Sequence, residues 1–211
     1  MRGYDLAHMT FVETQNGFIA VDVTSYRESA KAAVDLFYEN IPQEKREKKI
    51  HTIIYTHSHV DHYGGVLGVL EDSKVRTGAS VEIVAPDGFM DAAVSENVTK
   101  IFDGMAVDFL LALHTEAPAE MTMLFSDYRS LCLAEICNQT QHNILTPRGA
   151  EVCDTIAWSS APDAWGSDKY NQATALQADG GPRRPPITSQ PPYRSDCSPA
   201  LPYLLHGLKT I

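Results

Sequence analysis

The sequence predicts an α/β protein with a mixed sheet and a disordered C-terminal tail, and three observations support this. Runs of β-branched and apolar residues alternate with runs of helical apolar spacing, which is typical of layered α/β folds. The first two β-rich runs are separated by a segment ending in Asn16-Gly17, a strong turn signal that predicts an antiparallel hairpin. Beyond about Trp158 this periodicity ends and proline becomes frequent.

The elements follow in order from these patterns. The hairpin is predicted to pair residues 9–13 with residues 18–23. A helix is expected from Ser25 to about Asn40, because Ser25 and Glu28 fit a capping box. We then expect a strand over 50–56, a short helix around 66–71, and a helix from Pro86 to about Val98, with further strands over 81–85, 105–113, 121–125 and 131–136.

Composition divides the chain near Trp158. Eight of the 12 prolines fall between Pro162 and Pro202, and apolar periodicity is lost there. Such a segment buries too little surface to offset its ordering entropy. We therefore predict a folded domain over 1–158 and a proline-rich, disordered tail over 159–211. The alternative for the tail is a proline-rich ligand for a recognition domain.

Charge and hydropathy exclude several classes. The net charge of −10 predicts a surface that repels nucleic acid and anionic membranes. No run of 18 apolar residues exists, so no membrane span is expected. The N-terminus lacks a secretory h-region, so the cytoplasm is the default expectation and the compartment stays open. The four cysteines show no Cys-x-x-Cys spacing and are interpreted as ordinary thiols.

The bend after the strand over 50–56 carries the chemistry of the chain. His57, His59, Asp61 and His62 lie within six residues, and two glycines follow them. Because side chains alternate along an extended run, His57 and His59 are expected to point the same way. Imidazole and carboxylate are ligands of zinc and similar cations. The bend is therefore interpreted as a metal site, and a solvated polar turn is the alternative.

Two more distant carboxylates are candidates for the same site. Glu116 and Glu135 each follow an apolar run, where a strand delivers side chains to a sheet edge. Glu135 lies between Ala134 and Ile136, which predicts a buried carboxylate. Burying such a group without a cation is costly. Metal coordination would resolve that cost, and a salt bridge to an arginine is the alternative.

The Thr-His-x-His-x-Asp-His-x-Gly-Gly pattern at 56–65 resembles the signature of the metallo-β-lactamase superfamily. Within that superfamily the linear alkyl sulfatases are the most similar group. The likeness covers roughly residues 2–158 and rests on the bend together with residues 2–6, 115–121, 131–135 and 140–150.

The resemblance implies an incomplete αββα sandwich that binds two Zn²⁺ ions. It assigns His57, His59 and Glu116 to the first zinc and Asp61 and His62 to the second, with Glu135 bridging. Asp61 and Glu135 would thereby also serve catalysis.

The implied substrate is a small alkyl sulfate, hydrolysed by a metal-held hydroxide. Asn143 and Arg148 match family positions that hold the sulfate group, and the guanidinium fork suits sulfate oxygens. Glu120 is interpreted as a solvated group or a neighbour of the ligands. His114 is a candidate substitute ligand or proton donor, with simple exposure as the alternative.

Three departures from the family pattern limit these implications. An insertion found in the family is missing near 98–101, and no later segment matches the family's closing histidine motif, so the second zinc site is expected to be weakened. The family's dimerisation region is also absent, although a homodimer is possible in the family. The alternative function is therefore a catalytically impaired, metal-binding remnant. Hydrolysis of thioesters, β-lactams or phosphodiesters is disfavoured by the two glutamate segments.

Overall fold

The computed structural model describes residues 5–71, 80–89, 96–136, 154–165 and 174–176. Its first sheet has four strands in the order β1-β2-β3-β4. The antiparallel hairpin of β1 and β2 is followed by parallel pairing of β2 with β3 and of β3 with β4, so the sheet is mixed as expected. The strands are β1 (Thr10–Glu13), β2 (Gly17–Val21), β3 (Lys49–Ile54) and β4 (Glu82–Val84).

The second sheet has five strands in the order β5-β6-β7-β8-β9. Three antiparallel pairings form a meander, and β8 pairs with β9 in parallel. The strands are β5 (Val98–Phe102), β6 (Met105–Leu111), β7 (Met121–Phe125), β8 (Ser130–Cys132) and β9 (Thr174–Leu176).

Helices connect these strands. The α-helices are α1 (Arg27–Asn40), α2 (Val60–Tyr63), α3 (Val66–Leu70) and α4 (Thr155–Ser160). Short 3₁₀ turns lie at Gln43–Lys45, Ser126–Tyr128 and Ala161–Trp165. None of the helices in the described ranges has the length and apolar content needed to cross a membrane.

The alternation of side chains along the strands produces the layers. Ile54 packs in the core between the two sheets, whereas its neighbour Ile53 packs in the core beneath α1. On the outer face of the second sheet, the indole nitrogen of Trp165 donates to Oγ1 of Thr122 at 2.9 Å. Helix α1 therefore covers the outer face of the first sheet and the 3₁₀ turn Ala161–Trp165, which follows α4, contacts the outer face of the second, so the predicted αββα layering is confirmed.

Small residues bring the helix after the bend close to α1. A Cβ on Gly65 would overlap the carbonyl oxygen of Val23, and one on Gly68 would overlap that of Arg27. Only glycine allows this approach of the two backbones. The bend is thus held against the body of the first sheet.

The expected capping box is wrong. Helix α1 begins at Arg27, and Tyr26 at the N-cap makes no capping hydrogen bond through its side chain. The hydroxyl of Ser25 instead donates to Oδ1 of Asp5 at 2.8 Å. The Asp5 carboxylate also accepts from the N–H of Ser25 at 3.0 Å, so Ser25 is held by the N-terminal segment and its side chain does not cap the helix.

Other boundaries also differ from expectation. Residues 86–89 form a turn and Val98 begins β5, so the helix expected from Pro86 is wrong at both ends, and residues 90–95 lie outside the described ranges. The strand expected over 131–136 ends at Cys132, and a turn carries the chain onward. Strand β5 and helix α4 were not expected.

Two short elements, Ala161–Trp165 and β9, lie inside the stretch expected to be disordered, so that prediction does not hold for them. The last two residues of α4, Ser159 and Ser160, also lie in that stretch, residues 166–173 and 177–211 are outside the described residues, and the division near Trp158 stays a prediction. Cys132 is a buried free thiol, as expected, and burial raises its pKa to about 12. The other three cysteines are not among the described residues.

Candidate metal centre

Backbone pairing between the two sheets places His57. After β3 the chain continues through Thr56, whose carbonyl accepts from the N–H of Met121 at 2.9 Å. The N–H of Ser58 then donates to the carbonyl of Ala119 at 3.1 Å, and His57 faces Glu120 in an isolated antiparallel bridge. The end of the first sheet is therefore joined to the segment that enters β7.

The next three candidate ligands lie on a single helical turn. His59 occupies the N-cap of α2, and the N–H of His62 donates to its carbonyl at 3.0 Å. The side chain of His62 is fully buried, whereas those of His59 and Asp61 are 28% and 27% exposed. The centre is therefore open to solvent on the side of His59 and Asp61.

The second sheet contributes the carboxylates. Glu116 lies in the loop between β6 and β7, and Glu135 lies in the turn after β8. Their side chains are 0% and 3% exposed. Loops at the ends of these strands bring both groups to the bend.

The six predicted ligands form two groups that share one member. In the first group, Nδ1 of His59 lies 3.2 Å and Nε2 of His57 lies 3.7 Å from Oε2 of Glu116. Oε2 of Glu135 is 4.0 Å from the same His57 nitrogen. In the second group, Nε2 of His62 lies 3.1 Å from Oε1 of Glu135 and 3.5 Å from Oδ2 of Asp61.

The spacing and chemistry of these atoms fit divalent cations. The candidate ligand atoms within each group lie within 4.8 Å of one another. A tetrahedral zinc with bonds of about 2.0–2.2 Å separates its ligands by roughly 3.3–3.6 Å. The observed separations bracket that value, and imidazole with carboxylate is a donor set that zinc accepts. Glu135 is the shared residue, which is the partition that the resemblance implied.

Asp22, which the sequence analysis did not select, lies directly behind two of the histidines. It follows β2, is 1% exposed, and its Oδ2 is 2.9 Å from Nδ1 of His62. It also accepts from the N–H of Thr56 at 2.9 Å and from the Thr56 hydroxyl. The available signal was an acidic residue inside the apolar run 18–23.

These hydrogen bonds determine which nitrogens face the centre. A carboxylate only accepts, so His62 must donate to Asp22 through Nδ1. The one hydroxyl proton of Thr56 goes to Asp22, so Nδ1 of His57, at 2.9 Å, must donate to the Thr56 oxygen. In the neutral form of both rings the lone pair is therefore on Nε2, on the side of the carboxylates; when Nε2 of His62 carries a proton, it donates to Oε1 of Glu135 at 3.1 Å.

The electric field at the centre favours positive charge. Burial lowers the pKa of His62, but the Asp22 carboxylate and hydrogen bonds to Asp61 and Glu135 outweigh it, so this pKa lies well above its ordinary value. The hydrogen bond to Glu116 raises the pKa of His59 against the effect of burial. A cation bound here would compete with protons for the same nitrogens, so binding should release protons.

Glu120 is buried beneath the ligands. Its residue is 0% exposed, so the solvated interpretation is wrong and contact with the ligand segments is correct. Burial and the neighbouring Glu116 carboxylate raise the pKa of Glu120 to about 8, against the effect of the hydrogen bonds it accepts, and a cation at the neighbouring ligands would favour the ionised carboxylate.

Four residues around the centre have left-handed backbone conformations. These are Asp22, Thr24, His114 and Ala134, with φ of 55°, 63°, 59° and 49°. Such conformations are costly for residues with a Cβ, most of all for β-branched Thr24, and they concentrate at functional sites. Ala134 directly precedes Glu135, and Asp22 contacts His62, so the loops that carry the site are held under strain.

The remaining candidates lie outside the cluster. His114 is exposed and belongs to neither group, so its predicted role as a substitute ligand is not supported. Asn143 and Arg148 are outside the described residues, and their sulfate-binding roles stay predictions.

Comparison with known proteins agrees with this geometry. Residues 10–98, which include the bend, match the metallo-β-lactamase superfamily. The chain is also 34% identical to a linear primary-alkylsulfatase and 31% identical to an (R)-specific secondary-alkylsulfatase, both from Pseudomonas sp. The predicted relation to alkyl sulfatases is thereby confirmed.

The matched regions cover most of this chain but only part of each relative. The two alignments span 80% and 82% of this chain and 33% and 34% of the relatives, so the chain has about a third of their length in common. The solved structure of an inverting sec-alkylsulfatase from Pseudomonas sp. superposes with a TM-score of 0.76 at 26% identity, over 87% of this chain and 37% of that one.

Proposed function

We propose that the chain is a zinc-dependent hydrolase of alkyl sulfate esters. One observation carries the proposal: the bend and two distant glutamates form two ligand groups that share Glu135. The relatives named as alkylsulfatases supply the substrate class. When bound, cations in such a pair supply Lewis acidity, which lowers the pKa of water and offsets negative charge on the ester.

The residues of the chain have distinct roles in this proposal. His57, His59 and Glu116 would hold one cation and Asp61 and His62 the other, and Glu135 belongs to both ligand groups. Asp22 and Thr56 keep the rings of His62 and His57 in the binding tautomer. Asp61 and His59, on the exposed side, face the approaching substrate, and Asn143 and Arg148 bind the sulfate group.

A second function is supported by the inequality of the two groups. Within the described residues the first group has four members and the second has three. A chain that binds metal without releasing sulfate would be a metal-binding remnant of an alkylsulfatase. Because the second group is smaller, its cation would bind more weakly than the cation of the first group.

The decisive experiment measures metal content and sulfate release together. We expect about two zinc ions per chain, release of sulfate from dodecyl sulfate, and loss of both after chelation. E135Q should lose activity and at least one ion, whereas E82Q, the same change at an exposed residue of β4, should retain both. Metal uptake without sulfate release would contradict the hydrolase and support the metal-binding remnant. Absence of metal uptake would contradict both functions.

A further inference from the structure

Glu120 lies where the ligand-bearing segments of the two sheets meet. It directly precedes β7, is fully buried, and bridges His57 through the backbone. Its carbonyl accepts from the N–H of Ala112 at 2.9 Å. It belongs to neither ligand group in the described residues, so its carboxylate has a different task.

The carboxylate of Glu120 accepts backbone hydrogen bonds from two ligand loops. Oε2 accepts from the N–H groups of Glu116 at 3.0 Å and Ala117 at 3.1 Å, and it lies 2.6 Å from the Thr115 hydroxyl, whose one proton is also within reach of the Ala112 carbonyl at 2.5 Å. Oε1 accepts from the N–H of Glu135 at 3.4 Å. The two oxygens are therefore divided: one fixes the loop of Glu116 and the other reaches the turn of Glu135.

We propose that Glu120 is a positioning residue that sets the separation of Glu116 and Glu135 and thereby couples the two cation sites. The proposal rests on the proposed metal centre. Backbone N–H groups of the two carboxylate ligands both donate to this one side chain. Because Glu120 directly precedes β7, these hydrogen bonds tie the positions of Glu116 and Glu135 to a rigid strand.

The substitution E120Q distinguishes the contact with the loop of Glu116 from the contact with the turn of Glu135. An amide has one accepting oxygen and a donating nitrogen. If its oxygen takes the N–H groups of Glu116 and Ala117, both of these hydrogen bonds survive and the amide nitrogen opposes the N–H of Glu135. The reverse orientation loses both and keeps only the longer bond from Glu135, so the first prevails. E120Q should therefore keep the loop of Glu116 and release the turn of Glu135.

The test is a cobalt titration of the wild-type chain and of E120Q, followed by absorption spectroscopy. We expect the second Co²⁺ ion to bind roughly 10–100-fold more weakly in E120Q, with an altered spectrum for that site, because loss of a supporting hydrogen bond has effects of this size. Binding of the first ion should change less, since His57, His59 and Glu116 remain in place. Relative to the wild-type chain, E120Q should show faster amide hydrogen exchange at Glu135 and little change at Glu116 and Ala117.

The matched control is E13Q, at a carboxylate that accepts from Lys45 and Lys48. Glu13 of β1 pairs with Phe18 of β2, and Phe18 pairs with Ile50 at the start of β3. The bend follows the other end of β3, so E13Q should leave both titrations unchanged. Two ions bound with wild-type affinity and spectrum by E120Q would overturn the positioning role alone. A wild-type chain that binds no cation would remove the proposed metal centre, and the positioning role with it.

Discussion

Asp22 and His62 are joined by a hydrogen bond of 2.9 Å that crosses from the end of β2 to the helical turn of the bend. Both side chains are buried, and the ring of His62 presents its other nitrogen to Glu135 at 3.1 Å. This carboxylate–imidazole pair is the arrangement that orients ligating histidines in metal proteins. Through Thr56, the same carboxylate also orients His57.

We expect D22N to weaken cation binding roughly 10–100-fold, because it removes one of the two acceptor oxygens that together fix His62 and Thr56. Asparagine tolerates the left-handed backbone at this position, where φ is 55°, so the loop itself should be retained. Its amide nitrogen must oppose a donor on either His62 or Thr56. Competition with a chromophoric zinc chelator measures the change in affinity.

D35N is the control for D22N, because Asp35 is an exposed partner of Lys31 on α1. It should bind zinc as the wild-type chain does. Equal zinc affinities in D22N and the wild-type chain would show that Asp22 does not orient the ligands.

Zinc should stabilise the fold, because the ligand groups join residues of both sheets. A ligand that binds only the native state at 100 times its Kd adds about 2.7 kcal/mol, which is expected to raise Tm by roughly 5–10 °C for a chain of this size. H59N should reduce the rise, since asparagine is not an ordinary zinc ligand. Thermal unfolding with and without zinc gives the comparison.

H114N makes the same substitution at an exposed histidine outside both groups and should keep the full rise in Tm. A rise that is the same in H59N and H114N would contradict a role for His59 in cation binding.

The cluster of candidate ligands at the bend could be predicted from the sequence because these residues are neighbours along the chain. His57 and His62 are set by one strand end and one helical turn, which local patterns reveal. Glu116 and Glu135 approach the bend only through the pairing of β6, β7 and β8. The resemblance to alkyl sulfatases suggested that both glutamates reach the bend. From the residue patterns alone, one could say only that each glutamate follows an apolar run.

Asp22 and the true start of α1 could not be predicted for a different reason. Both depend on which acceptor or donor lies nearby in three dimensions: Asp5 takes the hydroxyl of Ser25, and Thr56 and His62 surround Asp22. An isolated acidic residue after a strand has no local pattern that distinguishes a surface position from a buried acceptor. Strand β5 was missed because the sequence Val98–Phe102 shows no alternation of apolar and polar residues: polar Thr99 and Lys100 are adjacent.

I54A should lower the free energy of unfolding by about 2–5 kcal/mol, because it opens a cavity where the two sheets meet. Ile54 is fully buried there with Val21 and Val84. Urea unfolding in the presence of a chelator separates this effect from metal binding. Ile156, on α4, is 71% exposed, so I156A should change stability by no more than about 0.5 kcal/mol. A loss below about 1 kcal/mol in I54A would argue against a tightly packed core at this position.

Asp103 should make stability depend on pH at the end of the sandwich remote from the bend. It occupies the two-residue turn between β5 and β6, and its carboxylate accepts from the Thr14 hydroxyl at 2.7 Å and from Asn16 in the turn between β1 and β2. Burial acts to raise the pKa of Asp103, but these hydrogen bonds outweigh it and hold the pKa below its ordinary value of 3.8.

The sign of the effect follows from that lowered pKa. Its stabilisation is fully present above pH 3.8 and is lost as the pH falls through the lower, folded-state pKa. D103N keeps the turn, because Asn-Gly suits two successive positive φ values, here 47° at Asp103 and 83° at Gly104. The wild-type chain should therefore be more stable than D103N at pH 6, and the difference should shrink below pH 4. His51 is present in both proteins, so its titration largely cancels, and a difference in urea midpoint that grows on acidification would contradict the assignment.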